Sequence, residues 1–176
     1  PELEPDPPET WAVVETDGQG DDTEVLREAL LSGASTVFLQ PGIYDVNGTL
    51  HIGPEVKRIH GAFAQIRISV PLVESGGPVF FLGRSDESTV VIERLWGDWQ
   101  KNTEEYFIHH ASNADLVIRD VFWISGGVYR NSPSTGRLFI ENVGNVPGGQ
   151  VFRNDLPGWV IVNQRTWARQ LNPELT

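Results

Sequence analysis

Val90-Val-Ile-Glu-Arg-Leu95 aligns without gaps with three later segments of the chain, and this repeat decides the fold. The later segments are Leu116-Val-Ile-Arg-Asp-Val121, Leu138-Phe-Ile-Glu-Asn-Val143 and Trp159-Val-Ile-Val-Asn-Gln164. Their shared isoleucines lie 26, 22 and 21 residues apart, at Ile92, Ile118, Ile140 and Ile161. Repeats of this length are typical of solenoids, in which each coil buries its apolar face only against its neighbours. The repeat therefore predicts a parallel β-solenoid.

The alternation within each segment predicts which side chains face the core. The shared isoleucines form one inward column. Leu95, Val121 and Val143 form a second inward column, which ends before the polar Gln164 of the fourth segment. Opposite charges alternate along the outward column of Glu93, Arg119 and Glu141. A turn-like column holds Arg94, Asp120, Asn142 and Asn163, where Asn142 over Asn163 would form a short amide ladder. An antiparallel sandwich is the alternative, but the only Asn-Gly hairpin signal lies at 47–48, outside the repeats.

One helix is predicted ahead of the repeats, over Thr23–Leu31, where apolar residues recur at helical spacing. Asp21 with Glu24 fits a capping box, Asp22 is the rival N-cap, and Gly33 is a plausible stop. Short strands are predicted around it, at 11–14, 36–39, 43–44, 50–52 and 56–59.

The opening of the chain resembles a known family. Asp17-Gly-Gln-Gly-Asp-Asp-Thr23, the helix after it, Thr36-Val-Phe-Leu-Gln-Pro-Gly-Ile-Tyr44 and Leu50-His-Ile52 are similar to the first coil of pectate-lyase-like proteins. This superfamily of right-handed parallel β-helices includes pectate lyases, polygalacturonases and phage tailspikes. The detailed resemblance covers residues 11–61, and the repeats extend a looser one to about residue 172. It implies an all-β, right-handed parallel β-helix with one N-terminal capping α-helix, in a secreted, extracellular or cell-surface protein.

The resemblance also implies binding, or cleavage, of a polysaccharide. Polygalacturonases carry Asn-Thr-Asp, Asp-Asp, Gly-His-Gly and Arg-Ile-Lys motifs on consecutive coils, and here only Thr16-Asp17-Gly18 and Asp21-Asp22 imitate fragments of them, ahead of the helix. The calcium-binding acids and catalytic Arg or Lys of pectate lyases do not map onto this chain either. Whether the chain is an enzyme therefore stays open. If it is one, a polysaccharide lyase or a glycoside hydrolase is expected. The alternative is a non-catalytic structural or adhesive segment of a larger protein or assembly.

The stretch between the first two repeats, 96–110, is the predicted site, because extra length in a solenoid coil forms a loop on one face. Carboxylates or imidazoles there could act as acid and base, and the candidate catalytic residues are Glu104, Glu105, His109 and His110. Aromatic and charged side chains there and in the next coil could bind sugar rings; they are Trp96, Asp98, Trp99, Lys101, Tyr106, Tyr129 and Arg130. Coil packing is the alternative for Trp96 and for Trp123, which both directly follow core columns. On a strand, His109 and His110 point in opposite directions.

The charge of the 176-residue chain is uneven. Its net charge is −11, yet residues 1–28 contain ten acids and a single base, Arg27, so the remaining body is nearly neutral. This balance argues against a nucleic-acid partner, which needs a basic surface. Eleven of the 13 bases are arginines, which bind carboxylates in a bidentate manner, so an acidic glycan remains compatible with the body.

Composition also restricts cofactors, partners and domains. The absence of cysteine excludes disulfides and thiolate metal sites. The acids Asp17, Asp21, Asp22 and Glu24 do not match a calcium loop and favour helix capping, so no cofactor is predicted. No apolar run is long enough to span a membrane. We expect a disordered acidic leader at 1–10 and one domain at 11–176, whose C-terminal end further coils or another chain would cover.

Overall fold

The computed structural model describes residues 6–68, 77–98, 106–123, 127–131, 136–145, 152–153 and 160–163. One short 3-10 turn (Pro8–Thr10), one helix, α1 (Thr23–Leu31), and fifteen strands are assigned within these ranges. The strands are β1 (Ala12–Val14), β2 (Thr36–Leu39), β3 (Ile43–Val46), β4 (Leu50–His51), β5 (Arg58–Ile68), β6 (Phe80–Leu82), β7 (Thr89–Asp98), β8 (Tyr106–His110), β9 (Asp115–Arg119), β10 (Phe122–Trp123), β11 (Gly127–Asn131), β12 (Leu138–Glu141), β13 (Gly144–Asn145), β14 (Phe152–Arg153) and β15 (Val160–Asn163).

All described strand pairs are parallel, and strands recur in three rows along a solenoid. The first row follows the order β1, β2, start of β5, start of β7, β9, β12 and β15. The second row contains β3, the end of β5, the end of β7, β10 and β13. The third row is a separate five-stranded sheet in the order β4, β6, β8, β11 and β14. The predicted all-β parallel solenoid with one helix is thereby confirmed.

The inward columns of the repeat run through the core as predicted. Ile59, Ile92, Ile118 and Ile140 lie in register on successive first-row strands, and all are buried. Leu95, Val121 and Val143 form the second inward column and are buried as well. Each coil therefore depends on its neighbours for burial, as the repeat spacing predicts.

The gapless alignment of the fourth segment was wrong by one residue. In the structure, Ile140 pairs with Val162 and Phe139 pairs with Ile161. Paired residues on β12 and β15 are therefore 22 residues apart, as they are on β9 and β12. The register therefore places Asn163 beside Glu141 and not beside Asn142, which contradicts the predicted amide ladder. Val160-Ile-Val162 offers an apolar residue in either register, so matching isoleucine to isoleucine could not fix the alignment.

The corner between the first and second rows has a left-handed backbone. Phe63, Arg94, Asp120 and Asn142 have φ values of 60°, 56°, 51° and 51°. Asn and Asp adopt this conformation more easily than most residues. Asn142 Nδ2 also donates a hydrogen bond of 2.6 Å to Asp120 Oδ1 in the neighbouring coil. The predicted turn column is thus confirmed at Arg94, Asp120 and Asn142.

Helix α1 packs against β1 and β4, with Leu26 and Leu30 buried in the core. Asp22, the rival N-cap, occupies the N-cap position without a side-chain cap bond, and its carboxylate accepts a 2.8 Å hydrogen bond from the backbone N–H of Asp45. Asp21 instead accepts from the backbone N–H of Thr23. The helix ends at Leu31, before Gly33, whose φ of 86° fits the predicted stop.

Candidate functional site

Two large aromatic side chains lie side by side on the outer face of the second row. Trp96 and Phe122 are paired in register on β7 and β10, and their ring centroids are 5.5 Å apart with nearly perpendicular planes. They remain 46% and 40% exposed. Ile43, two coils earlier in the same column, is also exposed. We call Trp96 and Phe122 the aromatic strip.

Polar side chains accompany the aromatic strip. Gln65 occupies the position between Ile43 and Trp96 in the same outward column. Two residues further along the strands, Arg67 forms a bidentate ion pair with Asp45. Arg67 is also in register with Asp98. An exposed apolar surface with amide and charged groups at its side is typical of a ligand-binding face.

The inward side of the same strands explains why Trp96 faces solvent and Trp123 does not. Trp123 pairs with Gly97, is completely buried, and packs against Phe107 with 4.6 Å between ring centroids. A Cβ atom built on Gly97 would fall inside the Trp123 indole, on Cε3 and Cζ3. Glycine at 97 therefore provides the space that the Trp123 ring occupies. The coil-packing alternative thus describes Trp123, while the exposed Trp96 is available to a ligand.

Other predicted site residues lie on the third row. Arg130 places its guanidinium 6.0 Å from the Tyr106 ring centroid, a cation–π contact. His109 is in register with Arg130 and packs edge-to-face on Phe81, with 5.3 Å between ring centroids. Burial, and then the positive charge of Arg130, lower the pKa of His109. Both effects favour the neutral form of the His109 imidazole.

His110 and Tyr129 form a pair inside the core. His110 Nε2 lies 2.8 Å from the backbone oxygen of Ala114, and its Nδ1 lies 3.1 Å from the Tyr129 hydroxyl. The imidazole is fully buried, and burial lowers its pKa to about 4. Burial also raises the pKa of Tyr129. The two histidines point in opposite directions, as predicted, and the His110 ring links Ala114 to Tyr129 of the next coil.

The remaining predicted residues lie outside the described parts. Trp99, Lys101, Glu104 and Glu105 fall in 99–105, and only the backbone of Asp98 is described. The roles of these five residues stay predictions. The aromatic strip contains a residue that the sequence reading missed: Phe122 shares the repeat position of Trp96, directly after the inward column of Leu95 and Val121. Extending the aligned repeat by one position would have found it.

A buried carboxylate lies on the outer face of the first row. Glu93 is 5% exposed, and its Oε1 accepts from His60 Nδ1 at 2.9 Å and from Arg58 Nη1 at 3.1 Å. Arg119 Nε is 3.9 Å from Glu93 Oε2 and 3.4 Å from Glu141 Oε2. The hydrogen bond from His60 lowers the pKa of Glu93 against the opposing effect of burial, and the charges of Arg58 and Arg119 lower it further.

This charge network contains the predicted alternation of Glu93, Arg119 and Glu141 but extends beyond it. Arg58 and His60 belong to the preceding coil, which the four aligned segments did not include. Its inward isoleucine, Ile59, lies 33 residues before Ile92. Its signal was Arg58-Ile-His60, a strand with an inward isoleucine between two basic side chains. We name Arg58, His60, Glu93 and Arg119 the Glu93 cluster.

In the parts that the structure describes, no group of three or more His, Cys, Asp or Glu side chains could hold a metal ion. No helix among the same residues is long and apolar enough to cross a membrane. Comparison with protein families, curated proteins and solved structures finds no match for this chain. The likeness to pectate-lyase-like proteins therefore rests on the opening motif and the looser resemblance of the repeats.

Proposed function

We propose that this β-solenoid binds a polysaccharide, with Trp96 as the main contact on the aromatic strip. The observation that carries the proposal is the exposure of Trp96 and Phe122 next to each other on an outward strand face. The flat apolar face of an indole suits the C–H face of a sugar ring. Neighbouring coils repeat at about 4.8 Å. A linear polymer can therefore contact several coils in succession.

The polar groups near the strip favour a hydroxylated ligand over a purely apolar one. Gln65 offers an amide that can both donate and accept hydrogen bonds. The Asp45–Arg67 ion pair lies beside it and offers a carboxylate and a guanidinium. Sugar hydroxyl groups can bond to each of these groups. On the third row, which is a separate sheet, Arg130 and His109 offer further polar groups.

The structural or adhesive alternative uses the same strip differently. A protein partner would also bury Trp96 and Phe122, because exposed aromatic patches often mark protein interfaces. The two functions separate by ligand: a glycan binder recognises free oligosaccharides, whereas an interface binds none. Cleavage of a bound glycan by Glu104 and Glu105 is a further step that only turnover measurements can test.

Trp96→Ala is expected to weaken glycan binding by about tenfold, because loss of one stacked ring removes roughly 1.4 kcal/mol. Calorimetric titration over a panel of neutral and acidic oligosaccharides measures this. Trp96→Phe should keep part of the affinity, because a smaller ring remains. Leu31→Ala, which removes an even more exposed apolar side chain from helix α1, is the matched control and should bind normally.

Unchanged affinity in Trp96→Ala would contradict the assigned surface. Failure of every glycan to bind at millimolar concentration would contradict the function itself. If no glycan binds, and the wild-type protein self-associates while Trp96→Ala does not, the hypothesis of a structural interface replaces that of glycan binding.

A further inference from the structure

His60 lies in an environment that orients its ring. Its Nδ1 meets the Glu93 carboxylate at 2.9 Å, and its plane is stacked on Phe38 with 5.6 Å between ring centroids and 26° between planes. Trp11 lies beyond, 6.4 Å from His60 and 5.6 Å from Phe38. The His60 side chain still keeps 18% of its surface accessible. Contacts on one edge and one face therefore hold the ring without covering it completely.

Glu93 also determines which nitrogen carries the proton. An ionised carboxylate can only accept a hydrogen bond, so Nδ1 must be the donor. In the neutral ring the lone pair is then on Nε2, on the far side from Glu93. Within the described ranges, no hydrogen-bond partner occupies Nε2. The ring therefore presents an acceptor nitrogen on the edge that points away from Glu93.

The charges around Glu93 keep the carboxylate available for this role. Arg58 contacts the same oxygen as His60, and Arg119 lies 3.9 Å from the other oxygen. A buried carboxylate without cations would tend to take up a proton and release His60. With both arginines present, Glu93 stays ionised and stabilises the positive charge that His60 acquires when it accepts a proton.

We propose that His60 is the proton-transfer group of an ester-hydrolysing site on the outer face of the first row, with Glu93 as its positioning residue. Nε2 removes a proton from a water molecule while the water oxygen bonds to the ester carbonyl carbon. The resulting tetrahedral intermediate then expels the alcohol oxygen, which takes the proton back from the imidazolium. Ester and water become carboxylic acid and alcohol, and His60 returns to its neutral state.

The surroundings favour an ester over a glycoside as the substrate class. Hydrolysis of a glycoside needs a pair of carboxyl groups, one of them protonated to act as the acid. Glu93 is ionised, accepts hydrogen bonds from His60 and Arg58, and has Arg119 3.9 Å away, so it cannot be that acid. Phe38 and Trp11 continue the face next to His60 and can hold a ring on the acyl or alcohol side of the ester.

This site is separate from the aromatic strip, so its test does not depend on the proposed polysaccharide binding. The probe is p-nitrophenyl acetate, whose hydrolysis is followed by release of p-nitrophenol. H60Q is expected to lower the protein-dependent rate at least tenfold, and E93Q about tenfold. H51Q, which removes an exposed histidine without a carboxylate partner, should leave the rate unchanged.

A wild-type rate in H60Q, or no protein-dependent rate at all, would overturn the proposal. Nitrogen-15 NMR of the wild-type protein gives a second readout that needs no variant to fold. Neutral His60 is expected as the Nδ1–H tautomer. Observation of the Nε2–H tautomer would show that Glu93 does not position the ring, and would equally overturn the assignment.

Discussion

Gly97→Ala is expected to destabilise the solenoid by about 3 kcal/mol, because the new methyl group would overlap the buried Trp123 ring. The backbone itself can accept alanine, since Gly97 does not have a positive φ. Two responses are available to the protein. Either the ring stays and the coil is strained, or the ring leaves the core and loses its burial, which costs a comparable amount. Urea unfolding monitored by circular dichroism measures the loss.

A double-mutant cycle with Trp123→Ala provides the control. Trp123→Ala alone should also be destabilising, since it leaves a large cavity next to Phe107. In that background, however, Gly97→Ala should cost little, because the atoms it collides with are gone. A cost that stays near 3 kcal/mol in the double mutant would show that the Trp123 ring is not what requires glycine at this position.

Repeats within a coil can be predicted from sequence, whereas contacts between coils, such as that of Gly97 with Trp123, cannot. The inward columns were predictable because Ile92, Ile118 and Ile140 repeat one residue type at one position, and burial follows from alternation. The fourth coil was misplaced because Val160-Ile-Val162 has apolar residues at successive positions, so its pattern has no preferred register. The pairing of Gly97 with Trp123 depends on which coils are adjacent, and no local pattern contains that information.

The candidate sites follow the same division. Trp96 was identified from its residue type and its place after a core strand, and its exposure supports the choice. His60 was missed because its partner Glu93 lies 33 residues later, in the next coil, and only the stacking of coils brings them within 2.9 Å. Parallel coils place residues side by side at a separation set by coil length, which varies from coil to coil. Clusters of chemically complementary groups across coils are therefore harder to find than repeats within them.

Acidification from pH 7 to pH 4 is expected to lower the free energy of unfolding by about 3 kcal/mol through His110 alone. Burial lowers the pKa of this imidazole from 6.5 to about 4 in the folded protein. Between these two values the unfolded chain binds a proton that the folded chain does not, so stability falls as pH falls. Each unit of difference contributes about 1.4 kcal/mol. The contribution is complete above about pH 6.5 and is lost by about pH 4.

His110→Gln is the variant that isolates this effect, measured by urea unfolding at half-unit intervals of pH. Gln can still donate to the Ala114 carbonyl that His110 contacts, so the variant keeps one bond of the network. It should be less stable at pH 7 but should lose far less between pH 6.5 and pH 4.5. His51→Gln, at an exposed position, should keep the wild-type slope. The lowered pKa values of Asp21, Glu93 and Asp115 also cost stability on acidification, but the loss begins near the ordinary values of 4.5 for Glu and 3.8 for Asp and so lies mainly below the pH 6.5 to 4.5 range. An unchanged slope in His110→Gln would therefore mean that the buried imidazole is not the group that senses acid in this range.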